Sequence, residues 1–170
     1  PNLDKLASDA VFFDRAYVTC PVSGPSRAGL LTGQYQQRYG FVHNNVPGAC
    51  DLSASVAPEN MGLDTSAVTI GNRFQNLGYT TIALGKWHQG YNMQFHPNNR
   101  GFDEFFGFLG GQRSYFPMDD PETEFKMWQN MEVLGEREGY YTDMLGERAC
   151  RYIEQMASEE KPFLMYLAFN

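Results

Sequence analysis

An α/β layered architecture, with helices on either side of a buried sheet, is what this sequence predicts, and three observations predict it. Phe163 to Phe169 is a continuous apolar run, the pattern of a strand in a sheet covered on both faces. Tyr79 to Leu84 is a second run, rich in β-branched and apolar residues and entered from a turn at Gly78. Around these runs the apolar residues recur at helical spacing, and helices alternating with buried strands build layers around one sheet.

Each element has its own reason. Asn2 can cap a first helix whose Leu3, Leu6, Ala7 and Ala10 share a face. Val11 to Val18 reads as a strand. A helix is expected from about Pro25 to Leu31, because proline suits a first helical turn, where its missing N–H would be unpaired anyway. Gln34 to Thr65 has no sustained period and is rich in Asn, Ser, Gly and Pro, so it reads as a long irregular loop of the kind that shapes an active-site mouth. Ile70, Phe74 and Leu77 form one helical stripe that Gly78 stops. Gly85 then lets the backbone pass close to a neighbour. A further irregular segment is expected from about Gln89 to Gly139. Tyr141, Leu145, Ala149, Tyr152, Ile153 and Met156 mark a long amphipathic helix, and Lys161-Pro162 closes the turn before the last strand. Trp87 is expected in the core and Trp128 at the surface. There are no repeats, low-complexity tracts or internal domain boundaries.

Composition narrows the function. The chain has 170 residues, 42% hydrophobic and 19% charged, which is globular and of single-domain size. Its formal charge of -7 argues against nucleic acid as a partner, and an anionic ligand would need a local cluster of Arg and Lys. No apolar run is long enough to span a membrane, and no signal peptide opens the sequence. Cys20, Cys50 and Cys150 are odd in number and lack metal-type spacing. Free buried thiols are expected, with a Cys20–Cys50 disulfide as the alternative in an exported protein.

The chemistry concentrates in two stretches. Ser23-Gly24-Pro25-Ser26-Arg27-Ala28-Gly29-Leu30-Leu31-Thr32-Gly33 sets a hydroxyl nucleophile just before a helix. Arg27 follows one turn later, so both can face one pocket. Helix-start N–H groups and a guanidinium both favour an oxyanion. Together they suggest transfer of a tetrahedral oxyanion group, although such a serine, taken alone, also reads as a helix N-cap. Ser26 is better suited to supporting the turn than to attack. The second stretch is Gly78-Tyr79-Thr80-Thr81-Ile82-Ala83-Leu84-Gly85-Lys86-Trp87-His88. If the chain stays extended, Lys86 and His88 project to one side and Trp87 to the other. A cation beside an imidazole can hold an anion's oxygens and protonate a leaving oxygen.

Other segments have weaker readings. In Gly110-Gly111-Gln112-Arg113-Ser114-Tyr115-Phe116 the glycines permit close approach of backbone to ligand, and Arg113 can contact a sugar hydroxyl or carboxylate. Asp119, Asp120, Glu122 and Glu124 offer hard oxygen ligands but lack the alternation and central glycine of an EF-hand, so a solvated acidic loop is expected. His43 and His96 are expected at the surface, with His43-Asn44-Asn45 as a possible pocket lining.

The first stretch resembles the activation signature of the sulfatase family, Cys/Ser-x-Pro-Ser-Arg-x-x-x-Leu/Met-Thr-Gly, with Ser23 at the first position and Cys20 out of register. The second resembles the family's other signature, Gly-Tyr-x-Thr-x-x-x-Gly-Lys-x-x/His. Pro1 to Ala7, Arg100 to Gly107 and Phe163 to Asn170 resemble the family's first helix, its Gly-Phe-Asp-x-Phe-x-Gly turn and the strand that ends in Asn-x-Pro-His.

The resemblance implies an alkaline-phosphatase-like fold. It makes residues 1–170 an interior section of the catalytic domain, truncated at both ends, with the Asp-Asp and Asp-Asn metal ligands outside it. It implies a bacterial, serine-type enzyme, periplasmic or secreted, in which a maturase oxidises Ser23 to formylglycine. Formylglycine at position 23 would bind Ca²⁺ and attack sulfur. Arg27 would hold the diol, Lys86 would bridge the sulfate oxygens, and His88, or a His beyond this section, would protonate the departing alcohol. Lys86, His88 and Arg113 are the expected substrate contacts, and the substrate is a sulfated glycan or aryl ester. Three alternatives stand beside this: a phosphate or phosphonate esterase of the same superfamily, a non-catalytic piece, and a conventional Ser-His-Asp hydrolase.

Overall fold

A computed structural model of the chain describes residues 1–44 and 60–170. Five strands form one sheet: β1 (Thr80–Lys86), β2 (Glu104–Phe108), β3 (Met127–Gln129), β4 (Glu132–Leu134) and β5 (Phe163–Ala168), in the order β4-β3-β2-β1-β5. β1 runs parallel to β2 on one side and to β5 on the other, with Ala83 opposite Phe105 and Tyr166. β3 and β4 form an antiparallel hairpin beside β2. Among the described residues the α-helices are α1 (Asn2–Ser8), α2 (Ser23–Thr32), α3 (Ile70–Asn76) and α4 (Tyr141–Ala157).

Strand alternation decides which helix covers which face. Ile82, Leu84, Phe106 and Phe108 pack against Tyr141, Leu145, Ala149 and Met156 of α4. Ala83 and Phe105 point the other way, into a cluster with Leu31 of α2, Trp87, Phe102 and Leu109, joined by Ile70 of α3. The layered reading therefore holds; of the predicted stripes, Ile70 of α3 and Tyr141, Leu145, Ala149, Tyr152 and Met156 of α4 face the core, whereas Leu77, which follows α3, and Ile153 are exposed. Thr69 starts α3 with a capping box: its hydroxyl accepts from Asn72 N–H while the Asn72 side chain accepts from Thr69 N–H. The Thr69 hydroxyl also donates to the Arg100 carbonyl at 2.6 Å.

Several expectations fail, each for a reason that lies far away in the chain. Pro1, not Asn2, occupies the cap position of α1, and none of that helix's residues is buried. Val11 to Val18 is irregular. β propensity needs a partner ladder to become a strand, and this segment pairs with no strand among the described residues. Its Val11, Phe12, Phe13, Tyr17 and Val18 are strongly exposed. The stretch from Gln89 to Gly139 contains β2, β3 and β4; strands this short gain their order from the sheet rather than from local pattern. β5 is an edge strand, half-buried along most of its length rather than fully covered. Trp128 is in the core. His96 is fully buried against the rings of Phe105 and Trp128. Cys20 is half-buried and Cys150 exposed, both free, while Cys50 and Asn45 lie outside the described residues.

Candidate active site

α2 begins one residue earlier than the cap reading of Ser23 requires. Val22 takes the cap position with extended backbone, and Ser23 is the first helical residue, which frees its side chain from the helix end. The Ser23 hydroxyl then has two partners from different elements. Arg27 Nε donates to Ser23 Oγ at 3.1 Å across one helical turn, and His88 Nδ1 lies 3.1 Å from the same oxygen. Ser23 Oγ accepts from Arg27 and still has an O–H to donate; where it donates to His88 Nδ1, a neutral His88 carries its hydrogen on Nε2.

β1 delivers Lys86 and His88 by a geometry that plain extension does not describe. The ladder with β2 continues past Lys86, through Trp87 N–H to the Phe108 carbonyl and His88 N–H to the Leu109 carbonyl, each at 3.1 Å. Trp87 turns into the core and donates its indole N–H to the Phe95 carbonyl at 2.7 Å. His88 then adopts a left-handed backbone, φ 60°, which carries its ring to Ser23. Gln89, fully buried, donates to the His88 carbonyl at 2.6 Å and to the Gly24 carbonyl at 3.0 Å, so it ties the strand end to the first turn of α2. On the far side of the helix start, Asn44 accepts from Gly24 N–H at 2.9 Å. That helix-start amide is thus already used, and the anion-binding capacity rests on side chains.

The site is cationic and half-buried. Burial, reinforced by the charges of Lys86 and Arg27, lowers His88 from 6.5 to about 4, so its imidazole is neutral at pH 7. Burial, and then the nearby Arg27 charge, lowers the Lys86 ammonium as well. Among the described residues, neither Arg27 nor Lys86 is in an ion pair. Arg27 NH1 instead donates to the Lys86 carbonyl at 3.1 Å and to the Tyr166 hydroxyl at 2.8 Å. Ser23, Ser26 and Arg27 open with Tyr166, Tyr17 and Val18 onto a cleft of about 530 Å³.

Ser23, Arg27, Lys86 and His88 therefore meet at one place, and the remaining expectations divide. Arg113 is buried and paired with Glu136 at 2.6 Å, over the ring of Tyr141. Of its two preceding glycines, Gly111 admits the His88 imidazole: a Cβ there would lie 2.6 Å from Nε2. His43 is exposed. Asp119, Asp120 and Glu122 are exposed, and among the described residues no group of three or more His, Cys, Asp or Glu can hold a metal ion. Tyr166 and Gln89 belong to the site although the sequence reading gave them no role there, and Asn44, expected with His43 and Asn45 as a pocket lining, holds the Gly24 amide. A hydroxyl-bearing residue near the carboxyl end of a parallel strand is the one signal that marks Tyr166.

A family model described as Sulfatase matches residues 1–170. Among curated proteins the chain is 31% identical to N-acetylgalactosamine-6-sulfatase of Mus musculus, over all of the chain and 34% of that relative. It is 30% identical to the uncharacterized sulfatase YdeN of Escherichia coli (strain K12), over all of the chain and 31% of that relative. Among solved structures, Ps i-CgsB in complex with k-i-k-neocarrahexaose is 36% identical, with a TM-score of 0.84, over all of the chain and 39% of that protein. BT4656 in complex with D-glucosamine-2-N,6-O-disulfate is 28% identical, with a TM-score of 0.70, over 99% of the chain and 28% of that protein. The chain thus spans about a third of the length of the curated relatives it matches.

Proposed function

Because this chain belongs to the sulfatase family, we propose that it is the nucleophile-bearing part of a sulfuric ester hydrolase acting on a sulfated glycan. The observation that supports this best is one oxygen, Ser23 Oγ, held at 3.1 Å by both Arg27 Nε and His88 Nδ1 beside the Lys86 ammonium. The sugars named with the similar structures and with the N-acetylgalactosamine-6-sulfatases favour a glycan over an aryl ester. A periplasmic or secreted location is part of the same proposal, as is a maturase that modifies Ser23. Among the described residues, no helix is long and apolar enough to cross a membrane.

Position 23 suits formylglycine, because its Cβ oxygen already faces a guanidinium and a neutral imidazole. Formed there, the hydrated aldehyde would supply one hydroxyl to attack sulfur as the S–O bond to the alcohol breaks, and a second whose deprotonation would release sulfate and restore the aldehyde. Arg27 fixes the oxygen at position 23 and stabilises negative charge on it. Lys86 balances the charge of the sulfate oxygens, and its half-buried setting strengthens that attraction. His88 faces the position-23 oxygen, so it can take that oxygen's proton as base and, once protonated, return it to the departing alcohol. A neutral imidazole with its Nδ1 lone pair toward that hydroxyl is in the right form to accept its proton.

Calcium is general to the family, but the described residues do not fit it by themselves: around Ser23 stand a guanidinium, an ammonium and an imidazole, and no carboxylate cluster. No step here is routed through the metal.

The test uses the full reading frame, co-expressed with a formylglycine-forming maturase and assayed on matched sulfate and phosphate esters. Sulfate ester turnover, a peptide around position 23 lighter by two hydrogens, and loss of turnover in Ser23→Ala are expected. Preference for the phosphate ester would move the assignment to the sister activity. The Ser23–His88 contact also favours a second reading, an unmodified serine hydrolase. Among the described residues that reading has no carboxylate paired with His88, and it predicts labelling of Ser23 by a fluorophosphonate, which formylglycine resists.

A further inference from the structure

We infer that Tyr166 is a positioning residue of this site, holding the Arg27 guanidinium in the orientation that puts Nε on the oxygen at position 23. The role rests on the sulfatase reading only for its catalytic consequence; the contact itself is independent of it.

Arg27 leaves α2 one turn after Ser23 on a long side chain, and helix geometry alone leaves the plane of its guanidinium undetermined. Three bonds determine it. Nε donates to Ser23 Oγ at 3.1 Å, and NH1 donates both to the Lys86 carbonyl at 3.1 Å and to Tyr166 at 2.8 Å. The Tyr166 bond is the shortest of the three and the one whose acceptor lies on a different strand, β5, from Lys86. Tyr166 sits opposite Ala83 in the parallel ladder, its ring packs near Phe102 at 6.3 Å between centroids, and it lines the cleft with Ser23 and Arg27. With two anchors on adjacent strands, the fork can turn only if the sheet deforms. With Lys86 alone, it can pivot about a single carbonyl and carry Nε off the position-23 oxygen. Burial also keeps the Tyr166 phenol protonated well beyond neutral pH, so the acceptor does not change form in the working range.

Tyr166→Phe in the full-length protein removes one oxygen and keeps the ring against Phe102. Two readouts separate positioning from packing. First, the Arg27 Nε–H resonance, identified in ¹⁵N-labelled protein by its absence from Arg27→Lys, should be sharp and slow to exchange in the wild type and broadened or lost in Tyr166→Phe. Second, kcat should fall about tenfold to a hundredfold, the range for loss of a hydrogen bond to a charged group, with KM changed far less. In an Arg27→Lys background the same change should have little further effect on kcat. An Arg27 resonance that exchanges at the wild-type rate in Tyr166→Phe overturns the inference, whatever the turnover. If the wild type hydrolyses no sulfate ester, the family-based activity fails, while the resonance still decides the role of Tyr166.

Discussion

Single residues here act through where they are buried. His88 and His96 are both lowered to about 4, His96 by burial alone. An unfolded histidine keeps its ordinary value of 6.5, so between pH 6.5 and 4 the unfolded chain binds protons that the folded chain refuses. The stabilisation is complete above pH 6.5 and is lost as pH falls toward 4. His96 is the cleaner probe because burial alone lowers it, with no neighbouring charge involved. His96→Phe should lessen the drop in urea midpoint between pH 7 and pH 5, a term worth about 2 kcal/mol at one and a half units. A drop unchanged from wild type would assign the acid sensitivity elsewhere. Gln89→Leu tests the tie between α2 and the strand end. It strips the side-chain donor from two carbonyls, so a loss of about 1–3 kcal/mol is expected by denaturant titration, together with reduced turnover as His88 loosens.

At the scale of elements, the site depends on β1 reaching its end at the right depth. Gly85 has φ 97°, and a Cβ there would fall 2.0 Å from the Ala168 carbonyl of β5. Gly85→Ala therefore pushes apart the two strands that supply Lys86 and Tyr166. Thermal melting should show failure to fold or a loss of several kcal/mol, since backbone, not a flexible side chain, blocks the way. Thr69→Ala breaks the α3 capping box and the bond to the Arg100 carbonyl, and should cost about 1–2 kcal/mol without altering the pH dependence of turnover. The helices were legible because Ile70 of α3 and Tyr141, Leu145, Ala149 and Met156 of α4 turn to the core at helical spacing, although Leu77 and Ile153 of the same stripes stay exposed. Strands β2 to β4 were not, because runs of three to five residues take their identity from ladder partners distant in sequence.

For the molecule as a whole, net charge and site charge have opposite signs: -7 overall, yet Arg27 and Lys86 stand free of ion pairs among the described residues. Attraction of an anion to this site is therefore local, and it acts at short range where burial lowers the dielectric. Calorimetric titration of this 170-residue chain with calcium should show no saturable stoichiometric site, because the described residues gather no carboxylates. A tight one-to-one site would refute that reading. By itself, the sequence determined the local chemistry: a nucleophile and an arginine one turn apart, a lysine and histidine at a strand end, and helices declared by their period. Only the tertiary structure decided which distant groups those residues face. It buried His96 and Trp128, paired Arg113 with Glu136, left Val11 to Val18 without a ladder, turned His88 onto the nucleophile and set Tyr166 behind Arg27. Spacing along a chain encodes neighbours within a turn or a strand, whereas burial and partner choice arise where segments many residues apart close on one another.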